Sequence, residues 1–171
     1  MSDSLIEVEI REVLPEEFEQ AGDVVAQAYT EFWDREDPGW KEHLDLVRDV
    51  AGRVGRTVVL VAVEGGRVLG SASIEMDDVI GDDDREVTPG VAGLRMVGVD
   101  PARRRRGIGR ALVEDVITRC RSAGKETLIL RTTTPMLAAQ GMYESLGFQR
   151  APDIDMPVSA EMTLIGYRLR L

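Results

Sequence analysis

The stretch that decides the reading is Val97-Gly98-Val99-Asp100-Pro101-Ala102-Arg103-Arg104-Arg105-Arg106-Gly107-Ile108-Gly109-Arg110. It completes an apolar run, AGLRMVGV at 92–99, and leads into Leu112, Val113, Val116, Ile117 and Cys120 at helical spacing. A strand, a loop and a helix are therefore predicted, the helix running from Arg110 to a left-handed cap at Gly124. A loop so placed turns several backbone N–H groups toward one point, beside the positive end of the helix dipole, and that is an anion site. Gly107 and Gly109 let a phosphate approach the main chain without a Cβ in the way, and the arginine run adds charge. A pyrophosphate fits this description.

Working outward, Ile6, Val8 and Ile10 alternate with acidic residues over 6–12, the period of a half-buried strand. From Pro15 to Trp33, Phe18, Ala21, Val25, Ala28 and Phe32 recur at three- and four-residue spacing and predict an amphipathic helix. Leu44, Val47, Val50 and Val54 predict a second helix, which leads into the β-branched strand TVVLVAV at 57–63. Glu64-Gly65-Gly66-Arg67 supplies a tight hairpin turn, and RVLGSASIEM at 67–76 returns beside the first strand. Residues 77–90 carry six carboxylates and read as a loop. Downstream, TLILRT at 127–132 is a buried strand, 136–146 a short helix and MTLIGYRLRL at 162–171 a closing strand. The order β-α-α-β-β-β-α-β-α-β predicts an α/β (α+β) chain, a single mixed, mostly antiparallel sheet flanked by helices. With 171 residues, one domain spanning 1–171 is expected.

Composition narrows the function. No run of about eighteen apolar residues exists, and MSDSLIEVEI has no basic region followed by an apolar one, so no membrane partner and a cytoplasmic location are expected. One cysteine, Cys120, and one histidine, His43, exclude zinc sites built from those residues, and no metal is expected. The net charge of −10 argues against a nucleic-acid partner, despite the run Arg103 to Arg106. The charge is also uneven: residues 1–90 hold 23 acidic and 8 basic side chains, whereas 91–171 hold 8 acidic and 13 basic. Such asymmetry suits an acidic half that draws a cation and a basic half that holds an anion; solvated faces of opposite sign are the competing reading.

Two common phosphate binders do not match. A dinucleotide fingerprint needs a third glycine where Leu112 stands, and a P-loop needs Gly-Lys-Ser/Thr where Arg110-Ala111 follows. The pattern instead resembles the GCN5-related N-acetyltransferase (GNAT) family. That family's coenzyme A loop, Arg/Gln-x-x-Gly-x-Gly/Ala after a strand ending Val-x-Pro, is matched by Val99, Pro101, Arg104, Gly107 and Gly109. Its helix-to-strand motif Ala-x-x-Leu-Tyr-x-x-x-Gly-Phe is matched by Ala139-Gln140-Gly141-Met142-Tyr143-Glu144-Ser145-Leu146-Gly147-Phe148.

The resemblance implies a GNAT-like acyl-CoA N-acyltransferase fold and an acetyl-CoA-dependent N-acetyltransferase, with acetyl-CoA as co-substrate. The acceptor would be a primary amine, a cationic small molecule or a peptide amine, attacking the thioester directly in a ternary complex. The pyrophosphate would lie on the loop Arg104, Arg105, Arg106, Gly107, Ile108, Gly109 and Arg110. Pantetheine would run along Met96, Val97, Gly98 and Val99, with Gly98 permitting a strand bulge. Tyr143 would be the general acid for the departing thiolate; a core tyrosine packing the helix end is the competing reading. The sequence departs from the family at two places. Met136 stands where an asparagine often touches the coenzyme, so that contact is absent or supplied by Thr133 or Thr134, and Gly93 stands where some relatives carry a catalytic glutamate. The base is therefore sought at Glu75, at Glu86 or in a water chain. A coenzyme-binding sensor without turnover is the alternative function, and a homodimer is compatible with the sequence.

Overall fold

In the computed structural model, residues 7–32, 39–77, 88–160 and 162–171 are described. Five helices are present among them: α1 (Phe18–Thr30), α2 (Trp40–Arg48), α3 (Val50–Arg53), α4 (Ile108–Ser122) and α5 (Leu137–Ser145). The strands are β1 (Glu9–Glu12), β2 (Val58–Glu64), β3 (Arg67–Glu75), β4 (Val91–Val99), β5 (Thr127–Thr133), β6 (Gln149–Arg150), β7 (Met156–Pro157) and β8 (Thr163–Arg170). Strand order is β1-β2-β3-β4-β5-β8-β6, with β7 on β8. Pairing of β4 with β5 is parallel, whereas β1 with β2 and β8 with β5, β6 and β7 are antiparallel. The mixed, mostly antiparallel sheet expected from the sequence is thus present.

The chain divides into two compact units, Met1–Ser73 with Met96–Val113, and Ile74–Arg95 with Glu114–Leu171. The first unit is built on the apolar faces of α1 and α2. Ala21, Val24 and Val25 of α1 and Leu44 and Val47 of α2 bury against Val59, Val61 and Val63 of β2 and Val68 of β3. Close approach of α1 and α2 depends on Gly22, because an added Cβ would stand 2.4 Å from the carbonyl oxygen of Arg48. The turn between β2 and β3 has both Gly65 (φ 57°) and Gly66 (φ 77°) in the left-handed region, the geometry a two-residue hairpin requires.

The second unit is organised by β5 and β8, whose register runs from Thr127↔Arg170 to Thr133↔Leu164. A small core of Val91, Ile129, Ala151 and Ile154 covers one part of it. Arg150 grips Asp155 through two 2.6 Å hydrogen bonds, and the same carboxylate accepts from the Gly166 N–H at 2.7 Å. Helix α4 ends as the sequence predicts: Gly124 has φ 76°, and the N–H groups of Gly124 and Lys125 donate to Arg121 and Cys120. Cys120 is fully buried, and burial pushes its thiol up to about 11.

Three expectations are corrected. The helix predicted through Leu44, Val47, Val50 and Val54 is two helices, because Asp49 (ψ 68°) leaves the helical region and accepts from the Gly52 N–H as the cap of α3. The strand over 6–12 is seen from Glu9; exposed Glu7, Glu9 and Glu12 do alternate with half-buried Val8 and Ile10, and Arg11 is half-buried as well because it is drawn onto Glu17 by bonds of 2.6 and 2.9 Å. Helix α4 begins at Ile108, two residues before Arg110. Most of the acidic loop, 78–87, lies outside the described residues.

Candidate active site

In the first unit, β4 runs out at Val99 and the chain turns at Asp100. The Asp100 N–H donates to the Leu69 carbonyl at 2.8 Å, and its Oδ1 accepts from the Ala102 N–H at 2.9 Å, closing a single 3-10 turn over Pro101–Arg103. Arg104 is extended, Arg105 (φ 65°) is left-handed and Gly107 (φ 75°) is left-handed again. Alternation of this kind aims successive amides into one concavity. The first intrahelical bond of α4 is Ala111 N–H to Gly107 O at 2.9 Å, so the amides of Ile108, Gly109 and Arg110 belong to the open first turn. Among the described residues, no atom beyond its own chain neighbours lies within 4 Å of where a Cβ on Gly107 would stand. A helix start of this kind, with open space at Gly107, is where a protein chain can receive an anion.

Upstream, the parallel ladder pairs Val91–Leu94 with Thr127–Leu130, and β4 continues five residues further. Met96 has φ 50°, a conformation rare for a side chain with a Cβ. The departure from a regular strand therefore falls at Met96, two residues before the glycine the sequence singled out. Gly98 answers a different demand: a Cβ there would stand 2.8 Å from Val25 Cα and 3.2 Å from Ala28 Cβ, so α1 lies directly on the strand at this point.

Residues the sequence reading passed over cluster here. The Tyr29 hydroxyl hydrogen-bonds with the backbone of Val97, the phenol being pushed well above its ordinary value by burial, and its ring stacks on His43 at 6.1 Å. Arg53, 6% exposed, donates to the carbonyls of Leu46 (3.1 Å) and Val47 (2.9 Å) and to Ser73 Oγ (3.3 Å), while its Nη2 is buried with no partner. Tyr29 and Arg53 occupy positions that helical periodicity assigns to packing, so only the isolated arginine on an apolar face could have flagged the cluster.

In the second unit, Tyr143 is 5% exposed on α5. Its carbonyl accepts from the Phe148 N–H at 3.1 Å, and the Glu144 carbonyl accepts from the N–H of left-handed Gly147 (φ 97°). This is a Schellman cap, and the Tyr143 and Phe148 rings meet edge to face at 5.6 Å as its hydrophobic contact. The sequence Tyr-x-x-x-Gly-Phe thus has a local structural reason. Thr132 donates to Met136 Sδ at 3.4 Å, and Thr133 Oγ1 is buried without a partner. Glu75 is held by Arg95 at 2.9 Å and Asp77 by Lys125 at 3.4 Å. Glu86 lies outside the described residues. Among the described residues, no three His, Cys, Asp or Glu side chains gather as a metal site, and no helix is long and apolar enough to cross a membrane.

Comparison with known proteins gives the family and the fold. The [Ribosomal protein bS18]-alanine N-acetyltransferase of Escherichia coli (strain K12) is 43% identical over 60 residues, which are 35% of this chain and 40% of that protein. The chain thus spans well under half the length of the curated relative it matches. A GNAT family structure from Desulfovibrio desulfuricans superposes with a TM-score of 0.72 at 25% identity, covering 96% of this chain and 99% of that one. A GNAT family acetyltransferase from Brucella melitensis in complex with acetyl-CoA shares the fold, with a TM-score of 0.68 at 23% identity over 97% of this chain and 89% of that one. The model of the acetyltransferase (GNAT) family matches residues 14–148. This chain belongs to the acetyltransferase (GNAT) family.

Proposed function

We propose that the chain is an acetyl-CoA-dependent N-acetyltransferase that transfers the acetyl group to a primary amine by direct attack in a ternary complex. The observation that carries this reading is the loop after β4, with left-handed Arg105 and Gly107 opening the first turn of α4. The amides of residues 105–110 would receive the pyrophosphate, and Arg105 would add charge. Left-handed Met96 supports a break in the strand at which an extended pantetheine takes up main-chain hydrogen bonds along 96–99. For the contact that the asparagine replaced by Met136 would make, Thr133, whose Oγ1 is buried without a partner, is the candidate.

Acetyl-CoA supplies an activated acyl carbon. The amine nitrogen bonds to that carbon as the C–S bond breaks, the amine loses a proton to base or solvent, and Tyr143 is assigned the proton taken up by the departing thiolate. Glu75, already engaged by Arg95, is the weaker candidate for the base, which leaves water as the simpler exit for the amine proton. The charge asymmetry favours a cationic acceptor, a peptide amine or a small polyamine.

Calorimetric titration with CoA and a thiol-release screen with acetyl-CoA against peptide N-termini, amino acids, aminoglycosides and polyamines test the proposal together. Micromolar-range CoA binding and amine-dependent release are expected. Binding without release for any amine selects the sensor function instead, and absence of CoA binding overturns the assignment.

A further inference from the structure

The four arginines 103–106 do not do the same thing. Arg106 forms a fork with Glu64, the last residue of β2, through bonds of 2.6 and 3.1 Å. The arginine holds the Glu64 carboxyl below its ordinary range, mainly by this hydrogen bond. Arg104 pairs with Glu31, the residue that ends α1. Arg105, whose left-handed backbone separates these two, makes no ion pair among the described residues.

Three residues from Glu64, across the two left-handed glycines of the turn, Arg67 reaches Asp100 Oδ2 at 3.3 Å. The tip of one hairpin therefore touches the anion loop at both ends, cation to carboxylate at Asp100 and carboxylate to cation at Arg106. The stronger contact is the second, because it is bidentate with a bond of 2.6 Å and its arginine is 39% exposed, against a single 3.3 Å bond and 63% exposure for Arg67.

Resting on the coenzyme reading above, we propose that the hairpin turn Glu64–Arg67 braces the loop 100–106 in its phosphate-receiving shape, with Glu64 as a positioning residue. In this division Arg104 and Arg106 fix the loop, and Arg105 with the loop amides meets the ligand. The turn suits the task because a two-residue connection with both residues left-handed has little freedom to drift. Pre-ordering the loop spares the ligand the entropy of ordering it on binding.

The sign of one substitution tests this sharply. Glu64→Gln removes a negative charge beside a phosphate site, which by itself tightens anion binding. The brace requires the opposite. Calorimetric titration of the full chain with CoA should show Kd raised about tenfold in Glu64→Gln, with kcat at saturating acetyl-CoA within about twofold of wild type. Arg106→Lys keeps the charge but loses the fork, and should weaken CoA binding by a similar factor. The double variant Glu64→Gln/Arg106→Gln should be no weaker than Arg106→Gln alone, since the pair acts as a unit. Equal or tighter CoA binding in a folded Glu64→Gln variant overturns the brace; if that variant does not fold, unchanged affinity in Arg106→Lys does so. Wild type that fails to bind CoA overturns the acetyltransferase reading itself, a different failure from a wild type that binds and a Glu64→Gln variant that binds as well.

Discussion

The Cα of Val25 stands 2.8 Å from the point a side-chain carbon on Gly98 would occupy. The atom it would meet belongs to the helix backbone, so nothing can rotate away to make room. Gly98→Ala should cost about 1–3 kcal/mol, the usual range for overpacking, and lower Tm by several degrees whether or not coenzyme is present. Differential scanning calorimetry checks this. An unchanged Tm would mean that α1 yields more readily than its burial implies.

Tyr143 has two roles to separate, because its ring packs on Phe148 and its hydroxyl is the proposed proton donor. Tyr143→Phe keeps the ring and the Schellman cap. General acid catalysis contributes about 10²–10⁴-fold, so kcat should fall by at least about tenfold with Tm and CoA affinity nearly unchanged. A full kcat with about 1 kcal/mol of lost stability would make it a core tyrosine only.

Arg53 is a buried cation whose useful contacts are the exposed ends of a helix. By donating to the carbonyls of Leu46 and Val47 it closes the last turn of α2, where a positive charge also meets the negative end of the helix dipole. Arg53→Met should therefore lose about 1–3 kcal/mol in urea denaturation, because the Val47 carbonyl loses its donor and the Leu46 carbonyl keeps only the Asp49 N–H, at 3.2 Å. The orphaned Nη2 works the other way, and a variant more stable than wild type would show that desolvation of the guanidinium outweighs its bonds.

The pair Arg11 and Glu17 gives an acid-side prediction. The Glu17 carboxylate takes two bonds from Arg11 and one from the Leu14 N–H at 2.9 Å, and the Arg11 hydrogen bond is the chief reason its pKa lies below the ordinary 4.5. A carboxyl with a folded-state pKa lower than its unfolded value contributes stability that is full above the unfolded value and is lost as pH falls through the folded one. Glu17→Gln should thus be less stable than wild type at neutral pH. The gap should close progressively below about pH 4.5, as followed by urea midpoints at a series of pH values.

What could be read from the sequence is what depends on near neighbours. Gly65-Gly66 and Gly124 announce a turn and a cap because the left-handed backbone they adopt is costly for other residues, and the β-branched run of β2 and the helical spacing of α1 and α4 report burial directly. The conformation of Met96 was not legible, since nothing about a methionine signals a positive φ; the strand distortion was looked for at Gly98, where the glycine serves helix packing instead. The break between α2 and α3 at Asp49 is hidden in the sequence by an apolar repeat that continues through Val50. The partners of the arginine run were beyond reach for another reason. Glu31 and Glu64 lie 73 and 42 residues from Arg104 and Arg106, and pairing at that separation is set by the fold rather than by any local pattern.

Cys120 bears on how turnover can be observed. Thiol reagents attack the thiolate, and this sulfur, sealed within α4 with its ionisation pushed up to about 11, offers them almost none at neutral pH. As the sequence holds no other cysteine, the folded chain is close to silent toward disulfide and maleimide probes. Coloured or fluorescent signal from such a probe then counts coenzyme released, and a slow rise without acetyl-CoA becomes a clock for local opening around α4.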